Sequence, residues 1–168
     1  MKFNLITLLL ILSLTAFSQK NTVEDINNYV QNIDSNSELK LNEYDWNKIT
    51  DSHIDHGAIL KIWKKENQIV KIEEQFGASY GRYSRLIYLK DNKQVKGIET
   101  EENFGFKNNE IDYSSLNIQF RMEVYVTGFN KMIEEYEFEV QKEGKRKMTE
   151  TYCDLNSVFA ILDEIKDL

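Results

Sequence analysis

Proline is absent from all 168 residues, cysteine occurs once, and histidine occurs twice. Without proline, the edges of any β-sheet must be protected by charge, and lysine and glutamate are plentiful for that. The lone Cys153 has no partner for an internal disulfide, so stability has to come from the core, where Cys153 reads as a small buried residue. No serine or cysteine has a convincing histidine partner in sequence, although such partners need only meet in space. No basic stripe occurs either. With a net charge of −7, that argues against nucleic acid and anionic membranes as partners. No low-complexity linker divides the chain, and no apolar run is long enough for a membrane span.

What is present begins with an export signal. Met1 to Ser18 carries Lys2, an apolar run from Leu5 to Leu14, and small residues at Ala16 and Ser18. This is the pattern of a secretory signal peptide cleaved between Ser18 and Gln19. No cysteine lies near that site, which argues against a lipid anchor. Cleavage leaves 150 of the 168 residues and moves the net charge to −8, because one lysine leaves and no acid does. A chain of that length builds one domain burying roughly two-thirds of its unfolded surface. The expected protein is therefore periplasmic or secreted, a single domain over residues 19–168, with no membrane span in the mature chain.

The stretch from Gly57 to Asn103 dictates its own geometry. Ala58, Leu60 and Ile62 share one strand face, and Val70, Ile72, Glu74 and Phe76 are expected to share one face of the next. A three-residue loop, Lys65-Glu66-Asn67, would pair Ile62 with Val70, with Asn67 as the left-handed residue. Arg82 to Lys90 and Lys93 to Glu101 then flank a two-residue turn at Asp91-Asn92, pairing Tyr88 with Val95 and Leu86 with Gly97. The strand over 82–90 ends apolar on both faces, which predicts an inner strand covered on two sides. The two hairpins also echo each other, Asn67 to Glu73 against Asn92 to Glu99, at a period of about 25 to 28 residues.

Around this stretch, Thr22 with Asp25 predicts a capped helix with Val23, Ile26, Val30 and Ile33 on one stripe. Leu39 and Leu41 predict a short strand or an extended connector. Gly105 to Ser115 reads as a polar loop. Leu116 to Thr127 alternates as a strand, with Leu116, Ile118, Phe120, Met122, Val124 and Val126 toward the core. Lys131 to Gln141 follows with Tyr136, Phe138 and Val140 inward, and a turn at Glu143-Gly144 leads to a strand over Lys145 to Tyr152. Asp154 caps a final helix with Leu155, Val158, Phe159, Leu162 and Ile165 on one side. The predicted fold is α+β: an antiparallel meander of six or seven strands with an N-terminal and a C-terminal helix packed on it. A barrel-like closure is the alternative.

Three constellations could carry chemistry. Asp51, His53, Asp55 and His56 combine imidazole and carboxylate ligands suited to zinc, although a solvated loop explains them as well. Arg82, Tyr83 and Arg85 follow Gly77-Ala78-Ser79-Tyr80-Gly81, whose two glycines let the chain turn tightly. Tyr83 and Arg85 project to the same side of the strand, and with Tyr80 the set offers guanidinium and aromatic groups for carboxylate or sugar recognition. The competing reading pairs those arginines with nearby glutamates. The acidic runs Glu99, Glu101, Glu102 and Glu134, Glu135, Glu137, Glu139 fall mostly on the water face of strands, with Glu134 aligned instead with Tyr136 and Phe138. That makes them a solvated surface rather than a glycosidase pair. Nothing calls for a cofactor.

The run Leu86-Ile87-Tyr88-Leu89-Lys90-Asp91-Asn92-Lys93, with the signal ending Thr15-Ala16-Phe17-Ser18-Gln19, resembles small exported proteins of the Bacteroidetes type, which generally lack an assigned activity. It departs from them in Asn92 where they carry glycine and in Lys96-Gly97-Ile98. The resemblance covers about 40 residues and carries over no functional residue. The function expected from the sequence is a non-enzymatic binding module for a protein or peptide partner, inhibitor-like or immunity-like. The alternatives are a metal-dependent or carboxylate-dependent hydrolase of envelope or extracellular polymers, and a structural envelope component.

Overall fold

The computed structural model describes residues 20–50, 54, 56–130 and 135–146. The expected signal peptide, Cys153, the strand beyond Arg146 and the C-terminal helix lie outside these residues. Helix α1 (Val23–Asp34) starts where the capping pattern placed it. The Thr22 hydroxyl accepts the Asp25 N–H at 3.1 Å, and the Asp25 carboxylate accepts the Thr22 N–H at 3.0 Å. Two otherwise orphaned donors of the first turn are thereby satisfied.

Seven strands follow: β1 (Lys40–Asp45), β2 (Ala58–Lys65), β3 (Gln68–Ala78), β4 (Gly81–Lys90), β5 (Lys93–Lys107), β6 (Glu110–Asn130) and β7 (Glu135–Gly144), with a short helix α2 (Trp46–Thr50) after β1. They form one antiparallel meander in sequence order, with β1 and β7 at its ends. The sheet is open among the described residues, and no barrel closure joins those ends.

Apolar residues lie on both faces of this sheet. On the α1 face, Ile26, Val30 and Ile33 of α1 meet Val70, Tyr88, Val95, Ile98 and Tyr125. On the other, the α2 face, Trp46 joins Ala58, Leu60, Ile62, Ile72, Ile87 and Leu89. Strand β4 serves both, with Ile87 and Leu89 on one side and Tyr88 on the other, each 2% exposed. The inner-strand expectation is met.

The registers of the hairpins differ from those the sequence predicts. Between β2 and β3 the turn has two residues, Glu66-Asn67, and it is Glu66 that adopts positive φ. Trp63 pairs with Lys71 and Lys64 with Ile69, which leaves Val70 as an extra residue. Ile62 consequently faces Ile72 rather than Val70. The Asp91-Asn92 turn is as expected, with both residues at positive φ, the geometry of a tight hairpin. Beyond it, Tyr88 pairs with Lys96 and Leu89 with Gln94, so Val95 is extra in its turn. Such β-bulges set two residues against one and reset which face the chain presents. Val70 and Val95 each lie three residues past the turn asparagine, and both join the α1 face core. The echo between the hairpins is therefore also an echo of structure.

Lys71 and Lys96, which follow the bulged valines, reach α1 as well. Lys71 Nζ lies 2.6 Å from the Asp34 carboxylate, and Lys96 Nζ donates to Asn27 Oδ1 at 3.0 Å. Each ammonium also sits over an aromatic ring, Trp63 at 4.8 Å and Tyr125 at 4.5 Å. Tyr88 anchors the helix end by donating its hydroxyl to Asp34 at 2.8 Å, and Tyr29 donates to the Leu89 carbonyl at 2.6 Å.

Three further expectations are corrected. Gly105 to Ser115 is no loop: β5 and β6 run on as a hairpin arm, turning at Asn108-Asn109 with positive φ at both. The turn at Glu143-Gly144 is not made, because the Lys145 N–H donates to Gln119 O at 3.0 Å and the chain stays beside β6. Tyr136, Phe138 and Val140 are exposed rather than inward. The tight turn expected around Gly77 and Gly81 is present at Ser79-Tyr80, between paired Ala78 and Gly81, but the glycines serve close approach rather than turn conformation. Neither has positive φ. Gly81 leaves room for the Glu102 carbonyl and Gly77 for that of His56, which a Cβ would strike.

Ile72→Ala should cost about 2–5 kcal/mol of unfolding free energy, because Ile72 is 1% exposed within the α2 face core. Ile111→Ala on the arm should stay within about 0.5 kcal/mol. Urea titration of both variants checks the contrast, and equal losses would contradict the assigned cores.

Candidate functional site

Of the metal candidates, Asp51, His53 and Asp55 lie outside the described residues. His56 is exposed beside Gly57. Among the described residues no group of three or more histidine, cysteine, aspartate or glutamate side chains could hold a metal ion.

Strand alternation distributes Tyr80, Arg82, Tyr83 and Arg85 over different surfaces. Tyr83 and Arg85 point to the same side, as expected, but that side is the α2 face, where each is 4% exposed. Arg82 lies on the α1 face and holds Glu102, with Nε and Nη2 at 2.7 and 2.6 Å from one carboxylate oxygen. Tyr80 sits in the β3–β4 turn, where its carbonyl accepts the Phe104 N–H at 2.9 Å. Burial first, and then the charge of Glu101, push the Tyr80 hydroxyl pKa up. Both arginines thus bind carboxylates of the protein itself, and the four side chains share no single surface.

Arg85 belongs to a buried charge row. Leu60, Glu74, Arg85, Glu99 and Met122 face one another across five strands. The Arg85 guanidinium binds Glu74. Arg146 returns over the sheet to bind Glu99 at 2.5 Å and lies 5.2 Å from the centre of the Phe120 ring. Glu74, Glu99 and Glu101 are each 1% exposed. The Oε1 atoms of Glu74 and Glu99 have no hydrogen-bond partner among the described residues. Burial raises the Glu74 carboxyl above its ordinary range, against the opposing pull of Arg85.

The sequence reading placed Glu99 and Glu101 on the water face, and the structure puts them inside. The alternation was read as if one face of β5 were wet, whereas both are covered. The missed signal was Arg85, an arginine aligned with Tyr83 on an apolar strand, which implies a buried counter-charge. Glu74 and Glu99 are each held by an arginine within this enclosure.

The α1 face carries a second ionic network. Glu123 accepts from Lys96 at 2.7 Å, Arg121 at 2.8 Å and the Tyr125 hydroxyl at 2.5 Å. Burial alone would raise its pKa, but those three donors outweigh it and bring the carboxyl down to about 2. Burial and the Asp34 carboxylate together hold the Tyr88 hydroxyl far above its usual range. A shallow cavity of about 460 Å³ lies here, lined by Lys71, Tyr88, Lys96, Thr100 and Arg121. Its cations are already occupied by Asp34 and Glu123.

Apolar surface is instead exposed in two places. The β5–β6 arm shows Phe106 at 77%, Tyr113 at 70% and Ile118 at 58% exposure, with Tyr113 packed on Phe104 at 5.0 Å. Along the β6–β7 edge, Phe129, Tyr136, Phe138 and Val140 form a shelf, with ring centroids 5.0 and 6.2 Å apart. Contiguous exposed apolar surface of this kind marks interaction sites. Sequence periodicity gave the strands of this edge but could not say that nothing among the described residues covers them. No protein family, curated protein or solved structure matches the chain.

Two outcomes test these assignments. Arg85→Met should cost about 3–5 kcal/mol by leaving Glu74 charged and alone, while Glu74→Met combined with Arg85→Met should recover most of that loss. Urea midpoints decide, and a double variant no better than the single one would contradict the pairing. Because Glu123 is lowered from 4.5 to about 2, its contribution is present above pH 4.5 and lost as pH falls toward 2. Glu74, shifted upward, contributes in the opposite sense, and its share fades as pH rises through its folded value. Glu123→Gln should therefore flatten the stability profile between pH 2 and 4.5, measured by urea unfolding at each pH. An unchanged slope would count against the network.

Proposed function

We propose that the chain is a non-enzymatic binding module that recognises a protein or peptide partner, inhibitor-like or immunity-like, after export to the periplasm or beyond. The observation that carries this reading is the contrast between its surfaces. The glutamates that could have done acid–base work are enclosed and largely held by arginines, while aromatic side chains stand exposed on the regular strands of the arm and the edge. Rigid strands present such side chains at little entropic cost, which favours binding. The expected two-helix α+β arrangement belongs to the same proposal and is supported by the apolar stripe Leu155, Val158, Phe159, Leu162 and Ile165. So does the kinship with small exported proteins of the Bacteroidetes type.

The test is capture of a partner from the native exported fraction by the wild-type chain and by Phe106→Glu and Phe138→Glu variants, with urea midpoints measured in parallel. A discrete partner should be recovered, and at least one variant should weaken its affinity about tenfold or more without loss of stability. Recovery of nothing, or of a partner indifferent to both changes, would contradict the reading.

A further inference from the structure

Among the described residues strand β7 pairs only with β6, and a strand added along its other edge would use the backbone N–H and C=O groups there. Its side chains sort by alternation into two sets. Tyr136, Phe138 and Val140 form the exposed shelf on the α2 face. Glu135, Glu137, Glu139 and Glu143 lie on the other side, while Lys142, the single cation of this strand, falls on the shelf side. The register confirms the division: Phe138 and Val140 face Val126 and Val124, whereas Glu139 faces Tyr125 and Glu143 faces Arg121. A basic side chain already sits on the acidic row, where Lys20 Nζ lies 2.7 Å from Glu137.

We propose that β7 is a strand-addition site for an extended peptide segment of a partner protein whose residues alternate between apolar and basic. This deepens the binding-module reading and rests on it. Backbone hydrogen bonds would supply sequence-independent affinity. The apolar residues of the segment would cover Tyr136, Phe138 and Val140, and its lysines or arginines would lie along Glu135, Glu137 and Glu139.

A second copy of the chain fits this edge poorly. An antiparallel self-pairing centred on Glu139 that keeps Phe138 and Val140 on the shared face sets Glu139 opposite Glu139 and Glu135 opposite Glu143. Shifting it by one pair sets Glu137 opposite Glu139 or Glu143. Like charges directly opposed across strands are destabilising. The β5–β6 arm lacks this pattern, since Lys107, Glu110 and Asp112 mix signs near its tip.

The experiment titrates the full chain with a labelled ten-residue peptide alternating lysine and valine, followed by fluorescence anisotropy and amide hydrogen exchange. Saturable binding is expected, with slowed exchange across β7. Affinity should fall about tenfold or more in Phe138→Glu and weaken with added salt. The same peptide N-methylated at alternate residues on the β7-facing edge should lose binding, which mere charge attraction would not require. Binding that survives N-methylation of each alternate set in turn, or saturable binding without β7 protection, overturns the proposal. Sedimentation showing a dimer that Phe138→Glu dissociates overturns it in favour of a second copy. If the peptide fails to bind while a captured native partner is lost with Phe106→Glu, the edge inference falls and the binding-module reading stands.

Discussion

Val70 and Val95 are where the two-residue period of the strands is broken, and the rest of the structure depends on that break. Under strict alternation, residues of one parity can feed one face only. Here β3 must give Ile72 to the α2 face core and Val70 to the α1 face core, residues of the same parity. One extra residue past each turn resolves the conflict. It also places a lysine beside each valine on the α1 face, so the helix is held by apolar contact and by Lys71 and Lys96 together. Local hairpin chemistry thereby fixes where a distant helix lies.

Charge inside the sheet follows from the same two-sided burial. Once β4 and β5 are covered on both faces, every second residue of a Lys/Glu-rich strand is drawn inward. Arg85 and Arg146 then hold Glu74 and Glu99, because an isolated buried carboxylate would be far more costly than a paired one. Such pairs add little net stability over apolar residues of equal volume, but they penalise wrong registers heavily. Arg85 slipped by one residue would face the wrong side of the sheet without a counter-ion. The protein therefore uses its abundant charge to specify the meander that its hydrophobic pattern leaves ambiguous.

Much of this was legible from residues alone. The Thr22-Asp25 cap, the Asp91-Asn92 turn, the inner position of β4 and the antiparallel meander each rest on short-range rules. What was not legible depended on tertiary cover. Gly105 to Ser115 looks like a loop because its polar residues are wet on both sides, as suits an arm projecting from the sheet. Glu99 and Glu101 look solvated because nothing local reports a second layer. Bulges are likewise silent in the sequence, since Asn67 and Asn92 mark the turns but not the extra residue three positions on. Among the candidate site residues, Tyr83 and Arg85 were rightly set on one side. The side itself could not be read, because aromatic and arginine residues suit a buried ion pair as well as a binding surface.

The deletion of Val95 addresses the organising claim most directly, because it removes the extra residue while leaving the Asp91-Asn92 turn intact. The account predicts that the shortened hairpin pairs strictly, keeping both Lys90 against Lys93 and Tyr88 against Lys96, but no longer sends a valine into the α1 face core. Its unfolding free energy, measured by urea titration, should fall by about 1.5–3 kcal/mol, what burial of a valine side chain contributes. A deletion variant as stable as the parent, within about 0.5 kcal/mol, would show that the extra residue is not what feeds the α1 face core.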